Sequence, residues 1–327
     1  MTFLFGLLVA ITSGLVICRG ITTERLLDFP NDRSSHSVPT LRVGGVSVAA
    51  GAIAGALARS YDSRVAAIIG CSALIGAVGF ADDLRGHLSP HFRLTVQIVL
   101  PMFFLPILLD GMDPARWWFW VFAAGACVFV TCYVNAFNFM DGINGMAVSQ
   151  TVVAGLAFAV MGHQSDSRAL IGLGLAISGA ALGFAPYNVP RARMFLGDVG
   201  SYFIGCWLAL IVVAAVRSGV PPEVAIAPLL LYLFDTCLTF VRRARHGAKL
   251  FFGHREHAYQ RLVIRGWSHV QVSVLAAALM AASSGMALTA SSSAPAVRGI
   301  ALLGGLVLAL GFACSPELLR RIASRGD

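Results

Sequence analysis

Eleven stretches of this chain are long, apolar and nearly free of charge: residues 2–17, 43–58, 65–81, 94–109, 117–134, 145–161, 169–186, 202–216, 222–241, 269–290 and 297–313. No other feature constrains the fold as tightly. A helix of about 20 apolar residues crosses about 30 Å of hydrocarbon, and in lipid only helices and closed barrels satisfy their own backbone. Some runs fall short of that length, so the helices are expected to extend several residues past the apolar edges. A large soluble α-protein with buried helices is the alternative. Against it, 57% of residues are hydrophobic and only 12% charged, where a soluble domain carries about 25%. The expectation is an all-α, polytopic integral membrane protein of about eleven transmembrane helices. No internal repeat or low-complexity linker divides the chain, so residues 1–327 read as one membrane-embedded domain.

The net charge of +8 does not call for nucleic acid, because the basic residues are sorted by loop. If alternate loops lie on alternate sides, segments 19–42, 82–93, 187–200, 242–268 and the C-terminal tail hold 18 of the 24 basic residues. Positive loops stay in the cytoplasm. The N-terminus is therefore expected outside and the tail "ELLRRIASRGD" inside. The first apolar run has no basic segment before it and no small-residue cleavage site, so it reads as a retained span. The seven cysteines fall in or beside the runs without a CxxC pair, so neither a disulfide nor a zinc framework is expected.

The outer loops are short and plain; the inner ones hold the chemistry. "DFPNDRSSHSVPTLRVGG" (28–45) is followed by "FADDLRGHLSPHFRLTVQ" (80–97), "NAFNFMDGINGM" (135–146), "APYNVPRARMFLGDVGSYFIG" (185–205) and a basic loop containing "HREHAYQRL" (254–262). The third reads as a hairpin between the fifth and sixth helices. Asp82, Asp83, Asp141 and Asp198 each stand at an inner helix end. Singly, each reads as a solvated boundary, but together on one face they suggest a site. Asn135 and Asn138 precede Asp141, and Gly197 and Gly200 flank Asp198. Clustered carboxylates and amides suit Mg²⁺, which takes hard oxygens and shares its sphere with water and substrate phosphates. Arg33, His36, Arg42, Arg191, Arg193, His254, Arg255 and His257 suit phosphate. His254 and His257 lack third and fourth zinc ligands at matching spacing. Arg93 and Gln97, four apart, share a helix face. Asp235, an acid inside a span, reads first as a structural partner and second as a catalytic group.

In this order, over about residues 28–265, these stretches resemble the polyprenyl-phosphate N-acetylaminosugar-1-phosphate transferases (glycosyltransferase family 4). Five motifs in sequence carry the resemblance. It implies transfer of an N-acetylaminosugar 1-phosphate from a UDP-sugar to undecaprenyl phosphate in the bacterial inner membrane. UMP is released, and Mg²⁺ is the cofactor, with Mn²⁺ as a substitute. Carried onto this chain, it implies that Asp82 or Asp83 activates the lipid phosphate, as base or nucleophile, and that Asp198 binds the metal. Asp141 and Asn138 would hold metal or nucleotide, Asn188 would line the pocket, and His254, Arg255 and His257 would meet the pyrophosphate or sugar. The fifth loop resembles the O-antigen-initiating branch. The third motif departs from the family at Asn144, where a second aspartate is common; an amide there cannot act as a base. The implied partners are undecaprenyl phosphate, a UDP-N-acetylaminosugar and the bilayer, and a homodimer is compatible with it. The rival from another class is a secondary transporter for an anionic substrate, which would hold its charges near mid-membrane.

Overall fold

The computed structural model describes residues 1–20, 24–30, 38–58, 62–86, 88–247 and 255–323, with side chains up to residue 319. Its helices are α1 (Thr2–Gly20), α2 (Gly44–Leu57), α3 (Ser63–Arg85), α4 (Pro90–Leu108), α5 (Trp117–Met140), α6 (Met146–Gln164) and α7 (Arg168–Asn188), followed by α8 (Gly197–Arg217), α9 (Pro222–Ala225), α10 (Leu230–Arg245), α11 (Ala258–Ile264), α12 (His269–Ala290) and α13 (Pro295–Ala323). Two short antiparallel strands, β1 (Leu27–Asp28) and β2 (Thr40–Leu41), bring the chain back to the start of α2.

All eleven apolar runs are helical, and among the described residues ten spans are long and apolar enough to cross a membrane. The remaining run is α2, a shorter apolar helix. α2 has 14 residues, or about 21 Å at 1.5 Å per residue, short of the hydrocarbon thickness. It packs between α1, α7 and α8. The ninth run is one span built in pieces, with α9 and a turn over Ala227–Leu229 leading into α10.

α8 is the hub. Within its apolar window 89% is buried, against 17% for α1 and 22% for both α4 and α13, so those three form the outer wall. α3, α5, α2, α6 and α7 surround α8. Small residues bring the backbones together, as is usual between membrane helices. A Cβ on Gly45 of α2 would lie 2.2 Å from Gly200 Cα of α8, and one on Gly79 of α3 would lie 2.2 Å from the Asp198 carbonyl oxygen. These close crossings hold the ends of α2, α3 and α8 at one level. The helix limits also correct the expected loops. α3 runs through Asp82 and Asp83, and α5 runs through Asn135 and Asn138. α8 begins at Gly197, which puts Asp198 in its first turn. The helices continue through polar residues because those residues face the interior, where the apolar run is broken but the backbone is not.

Candidate active site

Asp83 organises the site from beneath. Its side chain is fully buried (0% exposed). Oδ1 accepts hydrogen bonds from Arg42 Nε (2.9 Å), Arg42 Nη2 (2.7 Å) and the Asp198 amide (3.2 Å), and Oδ2 accepts one from the Val199 amide (3.0 Å). The first amides of a helix lack partners within it, and a carboxylate there also meets the positive end of the helix dipole. An acid from α3 therefore caps α8. Burial acts to lower the pKa of the Arg42 guanidinium, but the Asp83 and Asp198 carboxylates override it and hold it above its ordinary value. Gly197 turns the chain into α8 at φ +75°, and a Cβ there would stand 2.5 Å from Arg42 O and 2.8 Å from Asp83 Oδ2. Gly197→Ala is expected to cost at least about 1–2 kcal/mol from backbone strain alone. It should lower the unfolding midpoint in detergent together with activity; a native midpoint would show that the turn relaxes.

Asp82, one residue earlier, faces α4. Its Oδ1 accepts from the Leu88 amide (2.7 Å), closing the α3–α4 turn, and its Oδ2 accepts from Arg93 Nη1 (2.7 Å). Arg93 Nη1 also reaches Tyr202 Oη at 3.3 Å and lies 4.0 Å from Asp198 Oδ2. Arg93 thus belongs to the site and is no lone interfacial cation.

Asp198 is the open carboxylate. Its side chain is 25% exposed, where that of Asp82 is 8%. Oδ1 accepts from Asn138 Nδ2 (2.9 Å), which also donates to Ser201 Oγ (2.9 Å). Among the described residues, no donor comes within hydrogen-bonding distance of Asp198 Oδ2 or Asn138 Oδ1. Asp141 follows the end of α5, its amide donating to Asn138 O at 3.3 Å. Its carboxylate has no hydrogen-bonded or ionic partner among the described residues. Burial first, then the Asp198 and Asp83 charges, push its pKa well above the usual carboxylate range.

This donor set fits a hard divalent cation. Three oxygen-bearing side chains, Asp141, Asn138 and Asp198, keep oxygens uncommitted, and the two acids repel each other where no cation intervenes. Among the described residues no three His, Cys, Asp or Glu converge as a ready-made cage. Mg²⁺ needs none, since it commonly binds through one or two carboxylates and completes its sphere with water and phosphate.

The remaining expected residues fall into place unevenly. Asn188 accepts from the Gly145 amide (2.7 Å) and donates to Met194 O (3.2 Å), so both ends of its amide brace backbone. Asn135 bonds Gln97 Oε1 (2.6 Å) and Thr131 O (2.8 Å), a turn deeper in the membrane than Asn138. Asn144 donates from Nδ2 to Pro190 O (3.1 Å); a carboxylate could not make that bond. Arg193 turns to Pro186 O (2.8 Å) and over the Tyr187 ring. His257 is buried against Asp235, with Nδ1 and Oδ2 2.7 Å apart, and Arg255 is half-buried two residues earlier. His254, Arg33 and His36 lie outside the described residues. The sequence signals missed the Arg42–Asp83 pairing and the Asp235–His257 contact, since both join residues far apart in the chain.

Known proteins share this arrangement of sequence. The family profile described as Glycosyl transferase family 4 matches residues 65–218, which run from α3 through α8 and include Asp82, Asp83, Asn138, Asp141, Asn188 and Asp198. A protein of Bacillus subtilis described as a probable undecaprenyl-phosphate N-acetylglucosaminyl 1-phosphate transferase is 25% identical, covering 84% of this chain and 79% of its own. The decaprenyl-phosphate N-acetylglucosaminephosphotransferase of Mycobacterium leprae is 28% identical over 97% of this chain and 90% of its own. The undecaprenyl-phosphate alpha-N-acetylglucosaminyl 1-phosphate transferase of Escherichia coli K12 is 27% identical over 78% and 75%. Residues 65–218 thus match glycosyl transferase family 4, and among the described residues ten spans are long and apolar enough to cross a membrane.

Proposed function

We propose that the chain transfers an N-acetylaminosugar 1-phosphate from a UDP-sugar to undecaprenyl phosphate, releasing UMP and starting a cell-envelope polysaccharide of the O-antigen type. The relatives' names make N-acetylglucosamine the first donor to try. The observation that carries the reading is the set of uncommitted oxygens on Asp141, Asn138 and Asp198 beside the cations Arg93 and Arg42. It matches a substrate that is itself a metal-bound pyrophosphate. The loop charges favour a cytoplasmic site, with the N-terminus outside and the tail inside.

In this reading Asp198 and Asp141 would hold Mg²⁺, which would supply charge neutralisation on the pyrophosphate. Phosphoryl transfer depends mostly on positioning and electrostatics. A phosphate oxygen of the lipid attacks the β-phosphorus of the UDP-sugar. The new P–O bond joins lipid and sugar phosphate, and the bond to the UMP oxygen breaks. Arg93, 29% exposed, binds the lipid phosphate, and Asp82 Oδ2 next to it accepts any proton that the phosphate still carries. Direct attack fits better than a phospho-aspartate. Asp83 has no exposed oxygen and already accepts four hydrogen bonds, so it is poorly placed as a nucleophile.

The test uses the full chain in detergent with undecaprenyl phosphate and a panel of UDP-N-acetylaminosugars. UMP release is expected to need lipid, to stop with EDTA and to return with Mg²⁺ or Mn²⁺. Folded protein that releases no UMP from any donor would overturn the proposal.

A further inference from the structure

The Asp235–His257 contact lies outside the residues that match the family profile, 65–218, and none of the chemistry above uses it. Both side chains are buried, at 2% and 3% exposure. A buried carboxylate is costly unless it is paired and hydrogen-bonded, and Asp235 is both. Its Oδ2 lies 2.7 Å from His257 Nδ1, and its Oδ1 accepts from the Ala258 amide at 3.0 Å. The carboxylate thus fills two donors, one on the ring and one at the first residue of α11.

The ring also stacks with two aromatic neighbours, Phe139 of α5 at 6.1 Å between centroids and Tyr259 of α11 at 5.9 Å. The Tyr259 hydroxyl donates to the Phe139 carbonyl at 2.9 Å. Gly142 leaves room for that hydroxyl, since a Cβ there would come within 2.1 Å of it. Phe139 sits between Asn138 and Asp141 in the chain, so this stack ends where the uncommitted oxygens begin.

We infer that Asp235 is a positioning residue: it fixes the ring orientation and tautomer of His257 and docks the segment carrying Arg255 and His257 onto the end of α5, beside Asp141. A carboxylate at Nδ1 keeps the proton on that nitrogen. An asparagine cannot replace it. Its single oxygen serves one of the two donors, and its amino group faces the other, N–H against N–H. This inference rests on the proposed transfer for its kinetic readout, because it assigns His257 to the donor side of that reaction.

The experiment is a double-mutant cycle on the full chain in detergent, using Asp235→Asn, His257→Gln and both together. Asp235→Asn is expected to lower kcat/KM for the UDP-sugar about 10–100-fold, the range for losing a carboxylate that orients a functional histidine. KM for undecaprenyl phosphate should stay within about twofold. In the His257→Gln background the same substitution should cost less than about twofold, since nothing remains to position. Equal costs in both backgrounds would overturn the inference and leave Asp235 as a fold element. A second measurement covers a variant that does not fold or a native chain that shows no transfer. In ¹⁵N-histidine-labelled native protein, the signal lost in His257→Gln is expected to carry its proton on Nδ1; a proton on Nε2 with Nδ1 bare overturns the inference. A native chain inactive with every donor would defeat the proposed function, while the tautomer would still decide the pairing.

Discussion

Asp198→Asn is expected to lower UMP release by about 10³-fold while the protein folds and melts as before. A metal ligand contributes several kcal/mol to transition-state charge stabilisation, and each 1.4 kcal/mol is a factor of ten in rate. The fold should survive because the new side chain keeps an oxygen for Asn138 Nδ2, the 2.9 Å bond that Asp198 Oδ1 accepts. Only the open Oδ2 becomes an amino group, which cannot ligate a cation and stands near Arg93, 4.0 Å from that oxygen. The paired readouts are initial rate at saturating substrates and the unfolding midpoint in the same detergent. Activity within tenfold of native would remove Asp198 from the centre of the site.

Asp83→Asn is expected to fail in the opposite way. Removing one partner of a buried ion pair costs about 3–5 kcal/mol, and Arg42, 35% exposed, keeps enough water to reduce that to about 2–3 kcal/mol. The remaining oxygen cannot serve Arg42 and both α8 amides at once. The unfolding midpoint should therefore fall, and activity should fall with it. Adding Arg42→Gln removes the stranded cation, so the double variant should be no less stable than Asp83→Asn alone. An Asp83→Asn protein that melts like the native chain but has lost all transfer would show that Asp83 acts in the chemistry directly.

These two aspartates show what the sequence could and could not reveal. Both were candidates because each interrupts an apolar run at one end of the molecule, and charge in lipid is rarely idle. Nothing local told them apart. Asp83 meets Arg42 from 41 residues away and the α8 amides from 115, separations that no helical or strand period encodes. The apolar runs located every long helix, yet their edges misplaced Asn138, which faces Asp198 from inside α5. Apolarity marks the face toward lipid or core; a helix lining a polar site continues past it. Asn188 carried a motif signal of ligand binding, and its amide also bonds the Gly145 amide and the Met194 carbonyl, which no local pattern reveals. α11, seven residues long, has too little period to be read at all. Its position depends on Asp235 and Phe139, which the chain supplies from other helices.

The cap on α8 also sets an order of assembly. At about 5–20 residues per second of synthesis, the 115 residues between Asp83 and Asp198 take on the order of ten seconds to emerge. During that interval α3 has its acid while α8 does not yet exist. Arg42, made earlier and one helix hairpin away, is the counter-ion already at hand. The pair can thus neutralise α2 and α3 as they enter the bilayer and hold Asp83 ready for the amides to come. When α8 inserts, it docks onto a prepared anion, and Asp198 reaches its place in the same step. The site is finished by the arrival of one helix.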